Sequence, residues 1–147
     1  MMSNSELLAK AISIASTAFE KTLDKGNNPY ILHCLAVMDG VKHLGTEAMI
    51  VAVLHDLLED TLWNRAELQL EGFPEELINL IEMLTRKKGE DYLTYVGRVS
   101  TNPITKAIKI ADLTHNMRPD RLVDLTDKSM ERMKKYHTAY KFLTNKD

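Results

Sequence analysis

The sequence predicts an all-α fold built as a bundle of short helices. Apolar residues recur at helical spacing through most of the 147 residues, and no pair of segments alternates as neighbouring strands would. Four prolines and several glycines separate the periodic segments, as expected at helix ends. The hydrophobic fraction of 44% and the charged fraction of 27% are typical of globular proteins. Because the length suits a single core, we expect one domain over residues 1–147.

Each predicted helix has a periodic apolar face and a turn signal near one end. The predicted segments are 5–25, 30–44, a helix from 46 through the acidic stretch described below, 63–70, 74–84, 90–99, a helix restarted by Asn102-Pro103, and 127–143. Gly45 is expected to end the second helix, and Thr46 to act as the N-cap of the third. Pro119 interrupts the chain before the last helix, which we expect to close the bundle.

Charge and cysteine content exclude several classes of partner. The chain has 21 acidic and 19 basic residues, so its net charge of −2 gives no basic footprint for a nucleic acid polymer or an anionic membrane. Cys34 is the single cysteine, which excludes an internal disulfide and fits a reducing compartment. Neither a signal peptide nor a membrane-spanning segment is recognisable. We therefore expect a cytoplasmic protein that does not bind membranes.

The most informative stretch is HDLLED at residues 55–60, directly after an apolar run. In one continuous helix, His55 would lie over Glu59, and Asp56 would lie over Asp60. Burying three carboxylates beside a core-facing stretch is costly unless a cation lies among them. A divalent metal ion with imidazole and carboxylate ligands is the obvious candidate.

Two further residues capable of binding a metal lie on apolar helical faces. His33 has only apolar or small neighbours on either side, and Asp112 follows an apolar stretch with Lys109 and Asn116 about one turn away. Taken alone, each has an ordinary structural explanation, such as a hydrogen-bonded core histidine or an aspartate paired with Lys109. Together with the stretch at 55–60, they predict that three separate helices converge on one metal site in the bundle core.

These strings resemble a known family. The order H…HD…D is the signature of the HD-domain metal-dependent phosphohydrolases, whose fold is a helical bundle. The strings PYILH, LHDLLEDT, MLT and KIADLTHNM resemble more closely the (p)ppGpp hydrolase domain of RelA/SpoT-type enzymes, which also occurs as a small stand-alone alarmone hydrolase. This similarity covers about residues 7–122. The resemblance implies an enzyme that removes the 3′-pyrophosphate of (p)ppGpp to give GDP or GTP.

The resemblance also implies a role for each matching residue. Glu59 and Asp60 match the acidic pair that orients and activates the attacking water, and Asn116 matches a residue near the ribose and phosphates. Lys25, with Lys21 as an alternative phosphate contact, and Lys109 are further candidates for substrate contacts. One divalent ion, commonly Mn²⁺ in this branch, would be bound by His33, His55, Asp56 and Asp112. An ion in such a site lowers the pKa of its bound water and neutralises phosphoryl oxygens.

The sequence departs from the family pattern around the substrate contacts. Asp24 stands where the family commonly has an arginine before Lys25, and Pro119 stands where it often has a threonine. Two alternatives therefore stay open. The same site could act on another nucleotide or phosphoester, or the domain could be a non-catalytic nucleotide sensor.

Other residues have two possible roles each. His115 is either a phosphate contact or a helix-surface or capping residue. Residues 86–88 either approach substrate phosphates or form a solvated helix end, and Tyr92 and Tyr95 either stack on a base or belong to the core or its rim. The last helix either closes the bundle or faces another subunit, so a homo-oligomer is possible.

Overall fold

The computed structural model describes residues 1–145, and these residues form nine α-helices. The only strand-like pairing among them is an isolated bridge between Leu23 and Pro29, so the predicted all-α fold is confirmed. The helices are α1 (Asn4–Ala18), α2 (Ile31–Gly40), α3 (Thr46–Val53), α4 (Leu57–Asp60), α5 (Arg65–Leu70), α6 (Glu75–Met83), α7 (Tyr92–Val99), α8 (Pro103–Asn116) and α9 (Asp127–Thr144). No helix of residues 1–145 is both long and apolar enough to cross a membrane.

Helix α3 lies at the centre of the bundle. It packs against α1, α2, α6 and α8, and most of its side chains are fully buried, since the helix is apolar on nearly all sides. Helices α2 and α8 also pack on each other, and α9 packs on α8 and α7. The contact of α2 with α8 is close at Gly40, where an added Cβ would lie 3.0 Å from the Cβ of Ala111. This close packing brings the middle of α2 to the last turns of α8.

The first helix ends earlier than its apolar periodicity predicts. It begins behind a capping box formed by Ser3 and Glu6 and ends at Ala18, so the prediction of a helix to residue 25 was wrong. The chain then forms a loop closed by the Leu23–Pro29 bridge. Within it the Asp24 carboxylate accepts hydrogen bonds from the backbone N–H groups of residues 26 and 28, both at 2.9 Å. This side-chain capping of backbone donors competes with helix formation.

The junction between α2 and α3 depends on a glycine. Helix α2 ends at Gly40 and is followed by a 3₁₀ turn at Lys42–Leu44, instead of continuing to residue 44. Gly45 then has a φ of +101°, a conformation that residues with a Cβ rarely adopt. Gly45 is therefore the N-cap residue of α3, and the predicted N-cap role of Thr46 was wrong, since Thr46 is already helical. The remaining predicted helices begin within two residues of their expected positions.

The HDLLED stretch is not one continuous helix, contrary to the prediction. Helix α3 stops at Val53 and α4 starts at Leu57, with a tight turn between them. In this turn the backbone N–H of His55 donates to the carbonyl of Ala52 at 3.2 Å, three residues back. The imidazole Nδ1 of His55 lies 2.7 Å from the same oxygen. Because the helical ladder is interrupted here, His55 and Asp56 belong to the turn, while Glu59 and Asp60 belong to the next short helix.

Candidate metal centre and the two clefts beside it

Four side chains predicted as metal ligands come together in the core of the bundle. His33 is on α2, His55 and Asp56 are on the turn between α3 and α4, and Asp112 is on α8. Each offers one donor atom, and these four atoms all lie within 4.8 Å of one another. His33, His55 and Asp112 are buried, and Asp56 is partly buried.

The spacing of the donor atoms suits a shared ion. Two ligand atoms that each lie about 2.1 Å from one ion are separated by about 3 to 4 Å, depending on the angle between them. The Nε2 atom of His55 lies 3.0 Å from Oδ2 of Asp56 and 3.3 Å from Oδ1 of Asp112. The Nε2 atom of His33 lies 2.9 Å from Oδ1 of Asp112 and 3.8 Å from Oδ2 of Asp56. Two imidazoles and two carboxylates without a thiolate suit Mn²⁺, Fe²⁺ or a similar ion.

Both carboxylates also receive hydrogen bonds from outside the ligand set. The Tyr30 hydroxyl donates to Asp56 Oδ2. Lys109 Nζ donates to Oδ2 of Asp112 at 2.9 Å, and Asn116 Nδ2 donates to its Oδ1 at 3.1 Å. Burial raises the pKa of Asp112, but the charge of Lys109 and the bonds from the two histidines outweigh it and hold that pKa well below its usual range. Asp112 is therefore a carboxylate at neutral pH, as a metal ligand must be.

One cleft opens directly over this centre, and we call it the inner cleft. It has a volume of about 230 Å³. Its lining comprises Tyr30, Asp56, Glu59, Asp60, Arg86, Tyr92, Tyr95, Lys109, Asp112, Asn116, Lys135 and Tyr136. The structure thus places the predicted acidic pair beside the predicted metal ligands.

The members of the acidic pair have different surroundings. Glu59 Oε1 accepts a hydrogen bond of 2.8 Å from the backbone N–H of Arg86, which ties α4 to the loop after α6. Partial burial, followed by the charges of Asp56 and Glu59, raises the pKa of Asp60 to about 6. At neutral pH Asp60 is therefore mostly ionised and basic enough to accept a proton.

Three cationic side chains also line the inner cleft. They surround the ring of Tyr92, with Lys135 Nζ at 4.5 Å, the Arg86 guanidinium at 5.4 Å and Lys109 Nζ at 5.7 Å from its centroid. The Tyr92 hydroxyl is buried without a hydrogen-bond partner. Arg86 is therefore more than part of a solvated helix end, and Tyr92 is more than a core residue, because both line the inner cleft.

A second cavity, which we call the outer cleft, continues from the inner one. It measures about 380 Å³, and Tyr30, Asn116 and Tyr136 line both clefts. Its wall is formed by the loop after α1, the segment after α8 and one face of α9. The charged side chains that line it are Asp24, Lys25, Arg121, Asp124 and Arg132.

The negative charge of Asp24 is partly compensated by Arg121. Its Oδ2 lies 3.6 Å from the Arg121 guanidinium, and its Oδ1 holds the loop described above. Arg121 belongs to a 3₁₀ turn, Pro119–Arg121, that begins at Pro119. A guanidinium therefore reaches the outer cleft from this turn, although residue 24 is acidic.

Sequence reasoning found the centre of the site but missed much of its surroundings. Lys25, Lys109 and Asn116 all line one or both clefts, although Lys109 also pairs with Asp112. The missed residues contact the same clefts from other elements; they are Tyr30, Arg121, Arg132, Lys135 and Tyr136. Tyr30 could have been found, since it precedes His33 by about one turn in PYILH. The others lie in a loop or on α9, where no spacing connects them to the motifs.

Comparison with known proteins places the chain among RelA/SpoT-type proteins. No family model matches it. It is 32% identical over 117 residues to the guanosine-3′,5′-bis(diphosphate) 3′-pyrophosphohydrolase of Haemophilus influenzae, an alignment covering 71% of this chain and 17% of that protein. It is 31% identical over 127 residues to the bifunctional (p)ppGpp synthase/hydrolase RelA of Mycobacterium tuberculosis, covering 80% and 17%. The probable GTP pyrophosphokinase of Mycobacterium leprae is 29% identical over 131 residues, covering 82% and 16%.

The chain thus spans about a sixth of the length of these curated relatives. A solved structure described as a metazoan ortholog of SpoT that hydrolyzes ppGpp superposes with a TM-score of 0.80 at 16% identity, covering 99% of this chain and 89% of that one. The superposition shows that the fold is shared over almost the whole chain. The sequence matches, together with the H…HD…D residues, show that the chain belongs to the HD-domain family, in the RelA/SpoT-type branch.

Proposed function

We propose that this protein is a divalent-metal-dependent nucleotide phosphohydrolase that removes the 3′-pyrophosphate of (p)ppGpp. The observation that carries the proposal is the joining of two clefts at one four-ligand centre. Each cleft contains three cationic side chains, and the two share Tyr30, Asn116 and Tyr136. A nucleotide with diphosphates at both its 3′ and 5′ positions presents anionic groups to both clefts at once.

The proposed metal ligands are His33, His55, Asp56 and Asp112. The donor types and their spacing fit one ion, for which we propose Mn²⁺. When bound, the ion would lower the pKa of a water molecule and neutralise phosphoryl oxygens. Tyr30 and Lys109 orient the two carboxylates, so their ligand atoms point inward without relying on the ion.

The acidic pair has the role of handling the proton of the attacking water. Asp60 lines the inner cleft with a pKa raised to about 6, so it is mostly deprotonated at neutral pH and close to the optimum for a general base. Glu59 is held by the backbone N–H of Arg86 and would orient the water. General bases of this kind contribute about 10²- to 10⁴-fold to the rate.

The cations determine how the substrate lies. Arg86, Lys109 and Lys135 in the inner cleft would hold the leaving pyrophosphate beside the metal centre. The outer cleft is large enough for a nucleoside, and Lys25, with Arg121 and Arg132, would hold the 5′-phosphates there. Asn116 lies between the clefts, where the ribose would be.

The relatives support this assignment without deciding it. The Haemophilus influenzae relative is named for the proposed reaction, although the chain covers only 17% of that protein. We further propose that residues 1–147 act as one HD-type domain in the cytoplasm, since the single cysteine is buried and unpaired and therefore suits a reducing compartment. A homo-oligomer formed through the exposed face of α9 stays a prediction, which the mass of the protein in solution tests.

The decisive experiment is incubation of the purified protein with ppGpp and Mn²⁺, with products separated by ion-exchange chromatography. We expect equimolar GDP and pyrophosphate, and no release after removal of the metal with a chelator. Orthophosphate as the first product would contradict pyrophosphate removal. A lack of turnover of any nucleotide by metal-loaded protein would contradict the proposed enzyme and favour the non-catalytic sensor.

A second substrate class is favoured by one observation, the carboxylate of Asp24 in the outer cleft. Its charge is opposite to that of the arginine commonly found there in the family, even though Arg121 partly compensates. The same chemistry would then act on another nucleotide with a 3′-phosphate or on another phosphoester. A panel of ppGpp, pppGpp, 3′-phosphorylated nucleotides and deoxynucleotides separates the two. A higher kcat/KM for a compound other than ppGpp and pppGpp would show that the alarmone is not the preferred substrate.

A further inference from the structure

We propose that His115 is a positioning residue that keeps Nε2 of His33 available for the metal ion, with Arg121 fixing the direction of the hydrogen bond between the two histidines. The inference rests on the metal site proposed above. It concerns two residues outside the candidate ligand set: His115, which sequence reasoning left as either a phosphate contact or a surface or capping residue, and Arg121, which it missed.

The geometry consists of two contacts to one nitrogen atom. Nδ1 of His115 lies 2.8 Å from Nδ1 of His33 and 2.9 Å from Nη1 of Arg121. Arginine has only N–H donors, so Arg121 must donate to this nitrogen. A proton on Nδ1 of His115 would point into that donor. Nδ1 of His115 is therefore an acceptor.

The state of His33 follows from this arrangement. Since the shared nitrogen of His115 accepts, the short contact to His33 requires a proton on Nδ1 of His33. Nε2 of His33 can donate a proton to Oδ1 of Asp112 at 2.9 Å, and where a metal ion takes the place of that proton, a proton on Nδ1 would leave His33 a neutral imidazole whose Nε2 lone pair can bind the ion. Arg121 and His115 thus select the tautomer of His33 that can bind a metal ion.

His55 reaches the same state by a different route. Its Nδ1 lies 2.7 Å from the carbonyl oxygen of Ala52, which can only accept a hydrogen bond. The orientation of His55 is therefore set by the backbone of the turn, whereas that of His33 is set by two side chains. Arg121 also lines the outer cleft, so the chain of contacts from Arg121 to His33 connects this cleft to the metal centre.

The first test compares two substitutions of His115 with a control. In His115→Leu the acceptor is lost, whereas in His115→Asn the amide oxygen can occupy the place of Nδ1. We expect the Kd for Mn²⁺, measured by calorimetry, to rise about 10- to 100-fold in His115→Leu. It should return close to the wild-type value in His115→Asn. Arg118→Met, which removes an exposed arginine that pairs with Asp120, is the matched control and should leave the Kd unchanged.

The second test reads the tautomer directly. In metal-free protein labelled with ¹⁵N-histidine, the ring nitrogen shifts report which nitrogen carries a proton. Because Nε2 of His33 can hold a proton towards Asp112 when no ion is bound, the readout is the state of Nδ1. We expect a preference for a proton on Nδ1 of His33 in the wild type and in His115→Asn, and the loss of this preference in His115→Leu. Arg121→Met should weaken the preference and raise the Kd by less than His115→Leu does.

The outcomes separate this inference from the proposed function. If wild-type protein binds no Mn²⁺, the proposed metal site fails, and the shifts of the metal-free protein still decide the role of His115. An unchanged Kd and an unchanged His33 tautomer in His115→Leu would overturn the inference while leaving the metal site intact. Equal losses in the leucine and asparagine variants would assign His115 a packing role and would overturn it too.

Discussion

The inner and outer clefts are built in different ways although they share a wall. The candidate metal centre of the inner cleft comes from α2, from the turn between α3 and α4, and from α8, and these elements pack directly on one another. The outer cleft is lined mainly by the loop after α1 and by the segment after α8, with one face of α9. Side chains on packed helices are held in more precise positions than side chains on loops. Loops in turn tolerate more sequence variation than the helices they connect.

Two departures from the family pattern fall on the side of the loops, whereas Leu113 and Thr114, which replace an Arg-Leu pair of the family, lie on α8. Asp24 and Pro119 both belong to segments around the outer cleft, and neither contacts the four candidate ligands. On the proposed function, the inner cleft determines the chemistry and the outer cleft determines the choice of substrate. Substitutions in the inner cleft should change the rate, and those in the outer cleft should change the apparent affinity for the substrate.

The largest effect is expected from removal of a metal ligand. Asp56→Ala takes away one of two carboxylates that face both histidines, so divalent ion binding should be lost. Turnover of ppGpp should fall by at least about 10³-fold. Calorimetry with Mn²⁺ and steady-state kinetics measure the two effects. Asp120→Ala, at an exposed position, is the control, and unchanged activity in Asp56→Ala would refute the metal mechanism.

Substitutions in the acidic pair, Glu59 and Asp60, should lower kcat without changing the affinity for the metal ion. Asp60→Asn keeps the shape of the side chain but removes the proton acceptor, so kcat should fall about 10²- to 10⁴-fold with little change in the Kd for Mn²⁺. Glu59→Gln should give a smaller loss, because its amide oxygen can still accept from the N–H of Arg86. Glu76→Gln, at the exposed start of α6, is the control. A Kd that rises in parallel with the loss of kcat would show that Asp60 is a ligand.

Substitutions in the outer cleft should raise KM and leave kcat unchanged. Lys25→Met removes a cation that lines it, and we expect KM for ppGpp to rise about three- to tenfold, with kcat unchanged. Lys21→Met, an exposed lysine outside both clefts, is the matched control. If kcat fell while KM stayed constant, the division of roles between the clefts would be wrong.

The smallest effect is a change in stability with pH. Because the pKa of Asp60 is raised to about 6 in the folded protein, its ionisation destabilises the fold as the pH rises from the unfolded-state pKa through 6. In the presence of a chelator, Asp60→Asn should therefore be more stable than wild type at pH 7.5, by about 1 kcal/mol since the side chain is partly exposed. The difference should vanish near pH 3.5. Thermal unfolding at both pH values measures it, and a gain that persists at low pH would have another cause.

Much of this protein could be predicted from local patterns. The helices follow from apolar periodicity and capping residues, because both depend on residues a few positions apart. His33 and Asp112 could be identified because a metal-binding side chain on an apolar face is costly without a partner. Glu59 and Asp60 were assigned by their match to the acidic pair of the HD-domain family, and both are exposed in the structure. The periodicity failed at residues 19–25 and 54–56, where Asp24 and His55 bond to the backbone and displace the helical ladder.

By itself, then, the sequence determined the all-α architecture, the candidate ligand set and the acidic pair. Only the tertiary structure decided that the HDLLED stretch is split by a turn, and that Arg121, His115 and His33 form one chain of contacts. It also decided which cations line the two clefts. The physical reason is distance along the chain: residues 33 and 115 belong to different helices, so only the packing of α2 on α8 determines that their rings meet.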